Sequence, residues 1–357
     1  MSGVISIIAF IVVLSIIVVI HEFGHFIAAK RFGVYCSEFS IGMGPKLLSK
    51  KGKETNYVLR LLPIGGYVAM AGENDGMAEE YADVEIPKDR FLDAIEPWKR
   101  IIIMIAGIVM NFILAWLIMS IFFLNQGVYP EDAKPIIGSV VENSPAEMVG
   151  IMPNDYVIRV ELADGTVVKP KTFDDMSVYT MTSSGDITYI VNRDGKELAL
   201  TVKPELDEET GAYISGIRSL PIEYKNVTVF NAPLLSAKYL ANMTQDTLVS
   251  LVRMFKGVGL NQVSGPVGIY SITDTYASLG FEYFMMLVAM MSLSVGIFNA
   301  LPLPVLDGGR VVITIGEWIT GKKLNQKVEI ALMSVCWVLL IGLMLFATWN
   351  DITRLFR

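Results

Sequence analysis

The chain has 357 residues, of which 53% are hydrophobic and only 18% are charged, and its formal net charge is −7. This composition is too apolar for an ordinary soluble protein and is typical of a multi-pass membrane protein. The acidic balance and the lack of a long basic run give no reason to expect a nucleic-acid partner. The two cysteines, Cys36 and Cys336, do not suggest a disulfide framework.

The first apolar run ends in His21-Glu22-Phe23-Gly24-His25, which contains both histidines of the chain. On a helix, residues four positions apart share one face, so both imidazoles can bind one zinc ion. Glu22 then stands beside the metal, where it can take a proton from water. The pattern predicts a zinc hydrolase site with Glu22 as the base.

The run from Val4 to Ile20 has only two polar side chains, Ser6 and Ser15. Extended as a helix through Ala29, it is long enough to cross a hydrocarbon core of about 30 Å. A secretory signal peptide fits poorly, because no Lys or Arg precedes the run and no small-residue cleavage site follows it. A soluble zincin helix would be apolar on one face only. Ionisable groups near the end of a membrane helix indicate function.

Three further apolar runs, at 101–124, 283–301 and 328–349, predict the other membrane helices. In the second run, Gly107 permits close helix approach, and the Asn111 amide can bond across helices, either as packing or in catalysis. Basic residues after the first run place the 30–97 loop in the cytoplasm by the positive-inside rule. In that loop, residues 36–41 and 56–62 predict a membrane-associated β-hairpin.

The section at 126–282 is then extracytoplasmic. Ser144 and the residues after it predict a short capped helix between strands at 136–141 and 155–160. Further strands are predicted at 187–192 and 198–203, and the order of these elements resembles a bacterial PDZ domain. Residues 233–255 predict an amphipathic helix, and the chain is expected to break at 264–269.

Asp307 is the best candidate for a third zinc ligand. The first and third membrane helices both run inward and carry acidic groups at their inward ends, so Glu22 and Asp307 are expected at similar depth. Two histidines need a third protein ligand, commonly a carboxylate, and an open position for water. Gly308 and Gly309 are expected to allow an irregular backbone that aims the Asp307 side chain inward. The alternative is that Asp307 only caps a helix.

The motif at 21–25, Gly-Pro-Val-Gly at 265–268 and the segment 299–309 resemble the site-2 protease family of intramembrane zinc metalloproteases. With one PDZ-like unit, the chain resembles the bacterial regulator of sigma-E protease branch, whose best-known members carry two tandem PDZ domains. The resemblance implies His21, His25 and Asp307 as zinc ligands, Glu22 as catalytic base, and Asn299 as a residue that contacts substrate. It also implies cleavage of single-span membrane proteins, such as an anti-sigma factor, or of remnant signal peptides, in the bacterial inner membrane.

The sequence therefore predicts a multi-pass α-helical protein of the lipid bilayer, with four transmembrane helices, a membrane-associated β-hairpin and one inserted extracytoplasmic PDZ-like α/β domain. An alternative is a non-enzymatic membrane scaffold with a structural metal, although such a site would not need Glu22. A metal transporter is a further alternative, but the sequence lacks the chain of intramembrane ligands that a transport path would need. The predicted segments are helix one at 1–29, the cytoplasmic-side loop at 30–97, helix two at 98–125, the PDZ-like domain at 126–206, a linker at 207–281, helix three at 282–310, a cytoplasmic loop at 311–327, helix four at 328–350 and a tail at 351–357.

Overall fold

The structure is a computed structural model and describes residues 3–73, 86–207, 212–255 and 263–355. The chain forms two compact units, one of residues 1–122 and 268–344 and the other of residues 123–267 and 345–357. The described part contains four helices that are long and apolar enough to cross a membrane, which confirms the four predicted apolar helices. These helices span Ile7–Arg31, Pro97–Gln126, Phe281–Asn299 and Gln326–Thr353.

The first two helices, α1 (Gly3–Arg31) and α2 (Pro97–Gln126), are unbroken over 29 and 30 residues. At about 1.5 Å per residue, each is longer than a hydrocarbon core of about 30 Å. Pro97 stands in the first turn of α2, where a missing N–H removes no helical hydrogen bond. On α1, Val12, Ile16 and Ile27 remain exposed. Such a face suits contact with acyl chains rather than with water.

Between these helices the chain forms a sheet of two long antiparallel strands, β1 (Cys36–Lys51) and β2 (Asn56–Met70). Gly42 and Gly44 adopt positive φ and let β1 bend. The predicted hairpin is present, but it extends well beyond residue 62. Residues 38–41 lie opposite both 66–69 and 56–59, so four segments lie side by side in the order 46–51, 56–60, 36–41 and 66–70. Among the described strands, segment 66–70 pairs on one side only and is an edge.

The third apolar helix, α7 (Phe281–Asn299), ends before a turn that contains two prolines, and α8 (Asp307–Thr320) begins after it. The expected irregular backbone at Gly308 and Gly309 was wrong, because both glycines lie in the first turn of α8. A Cβ on Gly308 would lie 2.5 Å from the carbonyl carbon of Ala300. Glycine is therefore needed because the turn packs against the start of α8. The last helix is α9 (Gln326–Leu355).

The second unit is a small α/β structure. Its strands are β3 (Val128–Pro130), β4 (Ile137–Val140), β5 (Tyr156–Leu162), β6 (Val167–Val168), β7 (Ile187–Arg193), β8 (Lys196–Val202), β9 (Glu205–Leu206), β10 (Tyr213–Ile214), β11 (Ile217–Ser219) and β12 (Tyr224–Asn226). Its helices are α3 (Pro145–Met148), α4 (Phe173–Met181) and α5 (Ala232–Phe255), and α6 (Pro266–Leu279) follows.

Four strands of this unit form an antiparallel sheet in the order β6, β5, β7, β8, with Val157, Met176 and Tyr189 buried in its core. The predicted capped helix is present as α3, where Ser144 Oγ accepts a hydrogen bond from the Glu147 N–H. Strand β11 pairs with β4, so the strand pairing continues past residue 206. The sequence analysis did not predict α4, and the break expected at 264–269 is interrupted by α6, which begins at Pro266.

Candidate metal centre

His21 and His25 lie one turn apart on α1, and their Nε2 atoms are 3.2 Å apart. Oδ2 of Asp307 lies 3.0 Å from Nε2 of His21 and 3.3 Å from Nε2 of His25. Within the described residues, this is the one group of three His, Cys, Asp or Glu side chains close enough to hold a metal ion. The structure thus brings the three predicted ligands together in the first unit.

The spacing of these three atoms fits zinc. Zinc binds imidazole nitrogen and carboxylate oxygen at about 2.0–2.2 Å in a tetrahedron, which places neighbouring ligand atoms about 3.3–3.5 Å apart. The three separations, at 3.0–3.3 Å, are within about 0.3 Å of the lower end of that range. Oδ2 of Asp307 is also buried with no hydrogen-bond donor among the described residues. A buried carboxylate oxygen beside two ring nitrogens is a set of donors that could hold a metal ion, and a tetrahedral ion would retain a fourth position.

The tautomer of His25 is set by its other ring nitrogen. Nδ1 lies 2.8 Å from the backbone carbonyl oxygen of Ile103 in α2. A carbonyl only accepts, so Nδ1 must carry the proton and donate it. Nε2 of His25 is then left with a lone pair for a metal, which is the usual arrangement of a metal-binding histidine.

Asn111 is the partner of Nδ1 in His21, as the Ile103 carbonyl is the partner of Nδ1 in His25. It is fully buried on α2, and the nitrogen Nδ2 of its side-chain amide lies 3.2 Å from Nδ1 of His21. Binding of zinc at Nε2 requires the proton on Nδ1, so the zinc-bound form needs the Asn111 amide turned over, with Oδ1 in place of Nδ2 as the acceptor. The sequence analysis left Asn111 between packing and catalysis. The contact identifies it as a group that orients His21, and a polar residue inside an apolar helix was the sequence signal for it.

Asn111→Leu is expected to weaken zinc binding by about 10-fold to 100-fold, the usual effect of removing a partner of a ligand histidine. The matched control is Ser292→Ala. Ser292 of α7 donates a 2.9 Å buried hydrogen bond to the backbone carbonyl oxygen of Asn111, so this variant disturbs α2 at the same residue without removing the contact with His21. Zinc retention against a series of chelators measures the effect. Equal zinc retention by both variants would contradict the orienting role.

Two glycines allow α1 and α2 to approach at the motif. A Cβ on Gly107 would lie 2.7 Å from Cε1 of His25 and 2.9 Å from Cε1 of His21. On the facing helix, a Cβ on Gly24 would lie 2.7 Å from the carbonyl carbon of Ala106. Carbon atoms normally pack at about 3.5–4.0 Å, so neither position has space for a side chain. This contact holds both imidazoles between the helices.

A cavity of about 490 Å³ opens at the three ligand residues. Glu22 and Asn299 both line it, so the remaining two predicted site residues are at the same place. Segment 66–70 passes beside it, since a Cβ on Gly66 would lie 3.8 Å from Cγ of Glu22. The other lining residues include Tyr67, Val68, Ala69, Met70, Glu73 and Arg310. Sequence reasoning did not connect the Arg310–Glu73 ion pair with the site.

Known proteins resemble the chain over nearly its whole length. Residues 9–343 match Peptidase family M50. The Regulator of sigma-W protease RasP of Bacillus subtilis is 32% identical, with 98% of this chain and 99% of that protein covered. The Probable protease eep of Enterococcus faecalis is 30% identical at the same coverage, and the Zinc metalloprotease RasP of Bacillus licheniformis is 31% identical, also at that coverage.

These matches exclude the non-enzymatic scaffold that was considered from the sequence, because the full-length relatives are proteases. The four apolar helices place the enzyme in a membrane. The chain belongs to peptidase family M50, the site-2 proteases, and is a zinc-dependent membrane metalloprotease.

Proposed function

We propose that the chain is an intramembrane endopeptidase that cuts single-span membrane proteins, such as an anti-sigma factor, or remnant signal peptides. In this proposal His21, His25 and Asp307 hold the zinc, Glu22 is the catalytic base and Asn299 contacts the substrate. The observation that carries it is the convergence of three ligand atoms within 3.3 Å of one another beside Glu22, on helices apolar enough to lie in a bilayer.

Zinc, when bound, supplies a Lewis acid that polarises a carbonyl and lowers the pKa of water. Glu22 supplies the proton transfers. Its carboxylate lines the cavity, accepts a proton from the attacking water and delivers that proton to the leaving amine. The Asn299 amide stands at the end of α7 on the same cavity, where it can hydrogen-bond a substrate backbone group.

A substrate helix must unwind before it can be cut, because each of its carbonyls is already hydrogen-bonded within the helix. Freed backbone groups in lipid cost several kcal/mol each unless new partners replace the lost bonds. Segment 66–70 is a sheet edge that borders the cavity, so it can pair with an extended substrate. This pairing is supported by the position of the edge, since a Cβ on Gly66 would lie 3.8 Å from Cγ of Glu22.

The test of the function is a single-span substrate in liposomes that contain the purified enzyme. We expect cleavage inside or near the apolar segment, and Ala→Gly changes near the scissile bond should raise the rate by up to about fivefold each. The reason is that each glycine removes about 1 kcal/mol of helix stability that unwinding must otherwise overcome.

Mass spectrometry of the products locates the cut. The matched substrate carries the same glycines in its aqueous tail, where no unwinding is needed and the rate should not change. Cleavage confined to the tail, or rates indifferent to glycine in the apolar segment, would contradict intramembrane cleavage of an unwound helix.

In the proposed topology, the loop at 30–97 faces the cytoplasm, and the α/β structure of the second unit is an extracytoplasmic PDZ-like domain of the bacterial cell membrane. The support is the basic content of the loop, together with the order of a capped helix and flanking strands. If α2 crosses the bilayer once, the loop before it and the domain after it lie on opposite sides, and the basic residues of the loop decide which side is the cytoplasm.

This orientation can be tested by labelling a single cysteine in intact cells. In a background with Cys36→Ser and Cys336→Ser, Lys196→Cys in β8 should react with an impermeant maleimide. Lys53→Cys, at the turn between β1 and β2, should react only after the cells are opened. Both positions are exposed in the structure, so accessibility alone does not separate them. The reverse pattern would overturn the topology.

A further inference from the structure

Arg60 of β2 makes side-chain contacts with three other parts of the sheet. Nη2 donates to Oε1 of Glu38 at 2.6 Å and to the hydroxyl of Tyr67 at 2.7 Å. Nε donates to Oγ of Ser40 at 2.9 Å, and Nη1 donates to the carbonyl of Gly44 at 2.7 Å. One guanidinium thus joins the bend of β1, the central segment 36–41 and the edge segment 66–70. Arginine suits this role because its donors are fixed in one plane.

Glu38 depends on these contacts. Its side chain is fully buried, and Oε1 also accepts a 2.6 Å hydrogen bond from the Tyr67 hydroxyl. Oε2 has no hydrogen-bond donor among the described residues, and Nζ of Lys46 is 3.7 Å away from it. A buried carboxylate without compensation is strongly unfavourable, so Arg60 and Tyr67 are held firmly to it.

Tyr67 extends this cluster to the catalytic cavity. It lies in segment 66–70 and lines the cavity together with Glu22 and both zinc-site histidines. Burial and the hydrogen bond to Glu38 raise the pKa of Tyr67, so its hydroxyl remains a donor at neutral pH. The contacts among Arg60, Glu38 and Tyr67 therefore connect segment 66–70, which borders the site, to Arg60, which lies two segments away in the sheet.

We propose that Arg60 is a positioning residue, which acts through Glu38 and Tyr67 to fix the edge segment 66–70 in one register beside Glu22. This inference rests on the proposed pairing of an extended substrate with that edge. Substrate register along a strand decides which peptide bond meets the metal site, because a shift by two residues restores the hydrogen-bond pattern and the side-chain faces. A loosened edge should therefore place peptide bonds two residues away from the normal one at the site.

Arg60→Gln should lower kcat/KM by about 10-fold to 100-fold, the scale of a displacement of about 1 Å in a reacting group. Its products should also show cuts two residues away from the wild-type site, while zinc content stays unchanged. Tyr67→Phe retains the aromatic ring and should give the same additional cuts to a smaller extent. The measurements are product masses from a single-span substrate and zinc per chain, so a structural defect of the metal centre is detected separately.

Arg90→Gln is the matched control. Arg90 is an arginine of the same unit, it forms an ion pair with Glu54, and it donates to the carbonyl of Gly33 at 2.8 Å. None of these partners lies in segment 66–70. This variant should cut only at the wild-type bond. Additional cuts from Arg90→Gln, or a single wild-type cut from both Arg60→Gln and Tyr67→Phe, would overturn the positioning role.

Two N-methylated peptide substrates separate this inference from the proposed edge pairing. Strand pairing uses the N–H groups of alternate residues, so methyl groups on one alternating set should block cleavage and those on the other should not. If the wild-type enzyme treats both peptides alike, edge pairing fails, and the inference fails with it. If the wild type distinguishes them and Arg60→Gln retains the same preference and a single cut, edge pairing stands and only the positioning role is wrong.

Discussion

Glu22→Gln is expected to retain zinc and to lower peptide hydrolysis by at least about 10²–10⁴-fold, the usual contribution of a positioned acid–base group. Glutamine has the same shape as glutamate, so the packing of α1 and the positions of the histidines should persist. It has no carboxylate to accept the proton from water, and it cannot return a proton to the leaving amine. Zinc per chain and cleavage of a single-span substrate are the two measurements.

Glu73→Gln is the control for Glu22→Gln. Glu73 lines the same cavity, but its carboxylate is paired with Arg310. Because that carboxylate is held by Arg310, this variant should retain most of its chemical rate. An active Glu22→Gln enzyme together with an inactive Glu73→Gln enzyme would move the base to Glu73.

Local patterns in the sequence predicted the parts of the site that lie within one helix. His21, Glu22 and His25 share one turn of α1, so helical geometry alone brings the imidazoles together. Asp307 comes from a distant helix. Its position was predicted from the shared direction of two membrane helices and from a family resemblance, and Oδ2 does lie beside both imidazoles. Its place in the first turn of α8 was not foreseen.

The sequence did not predict contacts that depend on tertiary packing. Alternation in 36–41 and 56–62 indicated two strands, but it carried no information that 38–41 would lie between two segments of β2. Strand β1 bends at Gly42 and Gly44, which adopt positive φ. In the resulting order of segments, 66–70 is an edge beside the cavity. Likewise, Asn111 was recognisable as a costly polar residue in an apolar helix, but only the packing of α2 on α1 showed its contact with His21.

Gly107→Ala is expected to lower zinc affinity by at least about 100-fold, because it acts on both histidine ligands at once. The added Cβ would lie 2.7 Å from His25 and 2.9 Å from His21, inside normal carbon contact distance. The two imidazole rings can avoid this overlap only if their Nε2 atoms move away from the shared metal position. Helix α2 cannot retreat freely, because Nδ1 of His25 would then lose the Ile103 carbonyl and Nδ1 of His21 would lose Asn111.

The direction of the change distinguishes the steric effect of the added Cβ from the effect of helix propensity. Alanine favours a helix over glycine by about 1 kcal/mol, so without the contact the substitution in α2 would stabilise the protein. Gly342→Ala in α9 is the matched control, since nothing lies within 4 Å of a Cβ built there. It should retain zinc and remain at least as resistant to thermal unfolding as the wild type. For both variants, chelator competition on detergent-solubilised protein measures zinc affinity, and a thermal unfolding curve measures stability. If Gly107→Ala binds zinc as tightly as Gly342→Ala, the close approach of α2 does not hold the imidazoles in place.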